Sequence, residues 1–177
     1  GAGLQAGSEI TALIYEYTNT TLTNSDLWDV FIGYTAKNSF ADVNDWEDHG
    51  SLQPFAINAF PAINPGSSPF GVSDVRIAAD IPFVWDGVSN IIIAIDENSP
   101  NYGSSTDDFY CHETSKSTLV YYSDFTNPDP NFLPAASYVK DYNANLRVVA
   151  TNLTCVGLPF TMNFENGSLW STNWSVT

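Results

Sequence analysis

Basic side chains are scarce in this chain. Lys37, Arg76, Lys116, Lys140 and Arg147 stand against twenty acidic residues, a formal net charge of -15. Nucleic acid needs a basic stripe to displace counterions from phosphates, and these five scattered cations supply none. An anionic membrane surface repels the chain for the same reason. Long apolar runs are missing too. The most apolar stretch, Ile91-Ile92-Ile93-Ala94-Ile95, is far short of the eighteen residues a spanning helix needs. Gly1-Ala2-Gly3-Leu4 has neither the basic nor the apolar part of a signal peptide, so an export signal is expected upstream or already removed. Histidine is limited to His49 and His112, without a paired metal spacing, and no Gly-x-Ser-x-Gly elbow occurs. These absences argue against an enzyme. A hydrolase built on two carboxylates from separate loops needs no such motif, but twenty acids give no way to locate the pair.

What is present reads as short strands separated by turn signals, with no long amphipathic helix. Glu9–Thr18 alternates, with Leu13, Tyr15 and Tyr17 on one face and Ile10, Ala12 and Ile14 on the other. Apolar residues on both faces point to a strand central to a sandwich. Trp28, Val30, Ile32 and Tyr34 alternate with Asp29, Phe31 and Gly33, a half-buried strand with Trp28 in the core. Further strands are expected at Gln53–Phe60, Val72–Ala79 (Val75 and Ile77 inward), Asn90–Asp96, Phe109–Glu113, Leu119–Ser123 and Asn145–Ala150. Ile81–Gly87 combines a strand start with an Asp86-Gly87 turn. Asn90–Asp96, the most apolar of these, is expected at the centre of a sheet. The fold class is therefore all-β, a jelly-roll-like antiparallel β-sandwich. Residues 1–156 form the sandwich module. Gly157-Leu158-Pro159 reads as a joint, and 157–177 as a linker and the truncated start of a following β module, or a strand that docks elsewhere.

Several of these segments form a recognisable order. Trp28-Asp29-Val30-Phe31-Ile32-Gly33-Tyr34-Thr35, Ser39-Phe40 and Asp45-Trp46 come first. Pro82–Gly87, Asn90–Asn98 and Tyr121-Tyr122-Ser123-Asp124 follow. Over roughly Gly7–Val149 the order resembles a recurrent β-sandwich module of large surface and adhesin-like proteins exported by the type IX secretion system of Bacteroidota. Leu158–Glu165 is similar to the opening of a cleaved-adhesin or MAM-like module. The resemblance implies an extracellular or cell-surface location among neighbouring domains of one protein. It also implies a strand before Gly7 that this chain lacks, absent from the sequence in hand or supplied by another chain, as in strand complementation.

The candidate chemistry lies in loops. Calcium favours clustered oxygen ligands, and Asp96, Glu97 and Asn98 with Asp107 and Asp108, or Asp124 with Asp129, are the candidates for a structural Ca²⁺. The alternative is a solvated acidic loop. Aromatic rings exposed on a loop or sheet face stack on sugar rings, and Trp46, Trp85, Tyr102, Tyr121 and Tyr122 are the candidates for a ligand. Cys111 and Cys155 are expected to pair in an oxidising compartment, closing a loop worth about 4 kcal/mol in the chain-entropy account. Two separate buried thiols are the alternative. Sequons stand at Asn19, Asn152, Asn166 and Asn173. The expected function is a non-catalytic structural or adhesive module of a secreted or cell-surface protein. A carbohydrate-binding module attached to a secreted enzyme and a fibre subunit using strand exchange are the rivals.

Overall fold

Residues 3–100, 103 and 107–152 are described by a computed structural model. Nine strands occur among them: β1 (Ser8–Tyr17), β2 (Trp28–Thr35), β3 (Gln53–Ala59), β4 (Ala62–Asn64), β5 (Ser73–Val84), β6 (Asn90–Glu97), β7 (Cys111–Val120), β8 (Tyr138–Ala144) and β9 (Leu146–Asn152). The described residues contain no α-helix, only a 3₁₀ turn at His49–Ser51 whose Gly50 amide is capped by the Asp48 carboxylate. A four-stranded sheet runs β4-β5-β1-β9 and a three-stranded sheet runs β3-β2-β6. β7 and β8 pair as a separate ribbon. Every ladder is antiparallel. The fold is all-β and consistent with a β-sandwich.

The core forms where the two larger sheets face each other. β1 contributes Ile10, Leu13, Tyr15 and Tyr17, and β5 contributes Val75, Ile77 and Phe83. Trp28, Val30 and Ile32 of β2 and Phe55 and Ala56 of β3 meet them. Each buried aliphatic side chain of this kind stabilises the fold by roughly 1.5–3 kcal/mol. A register shift between Ile10 and Ala12 explains the burial pattern of β1. One extra residue flips the alternation, so Ile10 joins Leu13, Tyr15 and Tyr17 on the core side instead of facing away. On the outer face of β2, Gly33 lies beneath the 48–52 loop. A Cβ there would come within 2.6 Å of Leu52 Cδ2 and 3.2 Å of the Ser51 carbonyl.

The structure corrects four boundaries. Val72–Ala79 and the Ile81 segment are one long strand, β5, and Phe109–Glu113 and Leu119–Ser123 are one strand, β7, interrupted by a bulge between Glu113 and Thr118. β4 and β8 were not legible as strands. The fourth concerns β6, which pairs only with β2 among the described residues and so lies at a sheet edge, not its centre. Its run of aliphatics says nothing about a neighbour beside it, and none of its residues is fully buried.

Tyr17 is fully buried, and its hydroxyl donates to the Asp107 carboxylate at 2.7 Å and lies 2.8 Å from the Thr21 carbonyl. Burial, followed by the Asp107 hydrogen bond and charge, pushes its phenol from 10.0 up to about 12. Below pH 10 both folded and unfolded forms keep the proton. Between about 10 and 12 only the unfolded form releases it, so stability falls as pH rises through that window. Urea denaturation at stepped pH is expected to show this fall, and Tyr17→Phe is expected to reduce it, the buried Tyr15 phenol keeping its own share, while costing about 1 kcal/mol at neutral pH.

Candidate functional site

The β7–β8 ribbon carries the most distinctive surface of the molecule. Successive side chains of a strand point to opposite faces, so Tyr138, Lys140 and Tyr142 of β8 share one face. The ring of Tyr122, just beyond β7, lies nearly parallel to that of Tyr138, with an interplanar angle of 8° and centroids 6.2 Å apart. The Lys140 ammonium sits 4.1 Å from the Tyr138 ring centroid and 5.9 Å from that of Tyr142. The three rings remain open to solvent, with 63%, 45% and 41% of their surface exposed for Tyr122, Tyr138 and Tyr142. Hydrogen bonding with the Tyr138 hydroxyl and then its charge hold the Tyr122 phenol above its ordinary range. Phe125 and Phe132, in the connection between the two strands, are almost wholly exposed.

The ribbon is held in place by its neighbours. The Phe40 amide donates to the Lys116 carbonyl at 2.7 Å, and the Ala136 amide to the Val43 carbonyl at 2.7 Å. The 36–49 loop, which gives the first of these bonds and accepts the second, is organised around Lys37. Its ammonium lies 2.9 Å from both the Asp45 and Glu47 carboxylates and donates to the carbonyls of Asp45 and Trp46. The Ala41 amide and the Lys37 side chain hold the Asp45 carboxyl below its usual range. The strip is thus mounted on a loop braced by one of the chain's few cations.

The residues singled out from the sequence fall into distinct groups. Tyr122 belongs to the strip and Tyr121 beside it is half-buried. Trp46 is half-buried, its indole N–H bonded to the Pro134 carbonyl at 2.8 Å. Trp85 packs against the core and donates to the Ser89 carbonyl at 2.9 Å. Both tryptophans are packing elements. Tyr102 and Cys155 lie outside the described residues. Cys111 is exposed at the start of β7, and burial of its sulfur and the nearby Asp108 charge hold its thiol up. Sequence reasoning missed Tyr138, Lys140 and Tyr142. The Tyr-x-Lys-x-Tyr alternation was the available signal.

The acidic candidates are not brought together, and the described residues contain no group of three or more His, Cys, Asp or Glu side chains able to hold a metal. Three of the carboxylates accept protein hydrogen bonds instead. Asp107 accepts from the Thr23 amide and the Tyr17 hydroxyl, and Glu97 from the Ser99 amide. Asp129 accepts from the Asn131 amide and side chain. Asn98 accepts from Asn127, and Asp108 offers its carbonyl to the Thr18 amide. Asp96 stands across the ladder from Asp29, and burial first, with the Asp29 charge adding to it, raises its carboxyl. Asp124 is exposed beside Tyr122.

No family model, curated protein or solved structure matches this chain. Two further concavities are shallow and open. One lies between Tyr34, Asn38, Glu47 and Asn90, the other between Trp46, His49, Asn131 and Leu133. Neither gathers convergent catalytic groups.

Because Glu97, Asp107 and Asp129 already accept protein hydrogen bonds, a chelator is expected to leave the melting temperature unchanged. A fall of several degrees, restored by added calcium, would place a cation among them. Lys37→Met is expected to destabilise the domain by about 1–3 kcal/mol in urea denaturation, because Asp45 and Glu47 lose their shared partner.

Proposed function

We propose that this domain is a non-catalytic adhesive module of a secreted or cell-surface protein, and that it binds glycans through the strip Tyr122–Tyr138–Lys140–Tyr142. One observation carries the reading: two nearly parallel tyrosine rings, with Tyr142 on the same strand face as Tyr138, all open to solvent on the β7–β8 ribbon. Aromatic faces of this kind offer the apolar side of a sugar ring a broad stacking surface, while the phenol hydroxyls reach its polar edge. A small molecule generally binds in a concavity that encloses it. An exposed strip instead suits an extended polymer that lies along it.

Charge narrows the ligand. With a net charge of -15, the molecule repels polyanions at long range, and one ammonium already engaged with two rings offsets little of that field. The ligand class is therefore neutral polysaccharide. The resemblance to modules of type IX-secreted adhesin-like proteins points to the same setting, a string of domains outside the cell that contacts surfaces. A role attached to a secreted enzyme differs from this only in the neighbouring domains.

The test is binding to immobilised polysaccharides, neutral and acidic. Retention on at least one neutral class is expected, with Tyr122→Ala and Tyr138→Ala each weakening it by about tenfold or more, equivalent to about 1.4 kcal/mol. Trp85→Phe, which alters a packing residue, is expected to leave affinity unchanged. Failure of the wild-type domain to bind any neutral polysaccharide, or equal binding by folded Tyr138→Ala protein, would overturn the reading.

A further inference from the structure

The groove bordered by Tyr34, Asn38, Glu47, Val88 and Asn90 measures about 560 Å³, a size typical of ligand sites. Its walls are fixed by bonds within the protein. The Asn90 side-chain amide donates to the Lys37 carbonyl and to Asn38 Oδ1, both at 3.0 Å, which ties the start of β6 to the loop after β2. The Asp86 carboxylate accepts from the amides of Val88 and Ser89 and so sets the 86–89 turn that carries Val88. Glu47 is held by Lys37, but that ammonium is shared with Asp45 and lies 2.9 Å from each carboxylate. Two negative charges on one positive charge leave one uncompensated, and no other cation among the described residues pairs with either acid. Glu47 Oε2 is buried beside the ammonium, whereas no described residue donates to its Oε1 or to Asn90 Oδ1. The groove therefore has oxygen acceptors to spare and a negative charge. Burial first, and then the Asp86 charge, raise the Tyr34 phenol, so Asp86 adds to that field.

We propose that this groove binds the guanidinium of an arginine side chain presented by a basic protein partner. A guanidinium carries five N–H donors and no acceptor, the complement of unspent oxygens beside a carboxylate. It also stays charged at physiological pH and stacks on aromatic faces, and Tyr34, with 42% of its surface exposed, lines the groove. Charge favours the same partner at longer range. A domain of net charge -15 draws basic surfaces toward it and repels acidic ones. An open groove admits the end of a long side chain while the partner's backbone stays outside. The neutral polysaccharide proposed for the tyrosine strip brings no positive charge, and the inference does not depend on that strip.

Titration of the full chain with acetyl-Gly-Arg-Gly-amide, followed by backbone amide NMR shifts, tests it. The shifts are expected to concentrate on Thr35, Asn38, Ser89 and Asn90. The same peptide with citrulline in place of arginine, similar in shape but uncharged, is expected to bind at least about tenfold more weakly. Glu47→Gln is expected to weaken the arginine peptide by about tenfold. Glu113→Gln removes the same charge from an exposed position on β7 and is expected to change affinity by less than about twofold. Because Glu47 also holds Lys37, Val88→Lys supplies a second variant. Val88 is 88% exposed, so this change leaves the core untouched, and an ammonium at the rim is expected to abolish binding. No saturable shift by about 10 mM peptide, or shifts spread over the acidic loops without focus on the groove, would overturn the proposal. So would equal affinity for the citrulline peptide, or undiminished binding by folded Glu47→Gln or Val88→Lys protein.

Discussion

β1 is bonded along both flanks, to β5 on one side and β9 on the other, and it carries four of the buried core side chains. The register shift after Ile10 is what allows all four to point the same way. Without it, Ile10 would face outward and the Ser8 end of the sandwich would lose its apolar floor. Tyr17 closes the other end. Its ring packs against Phe109, at a centroid distance of 5.0 Å, and its hydroxyl fastens the loops on either side of β2 and β6 through Thr21 and Asp107. The strip on β8 inherits its position from this arrangement, because Asn145, between β8 and β9, is bonded to Glu16 and Tyr110 at the end of β1.

The second constraint is the scarcity of cations. Arg147 pairs with the nearly buried Asp74 on the outer face of the four-stranded sheet, and Lys37 braces the 36–49 loop. Lys116 reaches the Ala41 carbonyl and Lys140 lies over tyrosine rings. The acidic excess is handled differently, through short local bonds in which carboxylates cap turns. Asp86 shows the pattern well: it accepts from the amides of Val88 and Ser89 and from the Ser89 hydroxyl, which together hold its carboxyl low. Carboxylates used in this way stabilise turn geometry without needing a counterion nearby.

These two constraints explain what was legible in the sequence. The all-β class, the bounds of β2 and the inward placement of Val75, Ile77 and Trp28 follow from period-two alternation, a property of single strands. The edge position of β6 and the joining of Phe109–Glu113 to Leu119–Ser123 depend on lateral pairing, which alternation does not encode. β8 escaped notice because Tyr138-Val139-Lys140-Asp141-Tyr142 puts aromatics and a cation on one face and a single valine on the other. That is the pattern of a strand whose aromatic face looks outward. Tyr122 was found and Tyr138 and Tyr142 were not for this reason. The acidic loops offered two readings, shared ligand clusters or solvated loops, and the carboxylates of Glu97, Asp107 and Asp129 accept from nearby amides.

The pairing of Ser8 with Asn152 has a consequence in time. A chain that emerges from its N-terminus presents β1 early, but one flank of β1 stays bare until β9 arrives, more than a hundred residues later. Closure entropy must be met before these contacts repay it, so folding of this architecture is slow and late. Through that interval β1 has β5 as its only ladder partner, and the flank that β9 will cover stays hydrated.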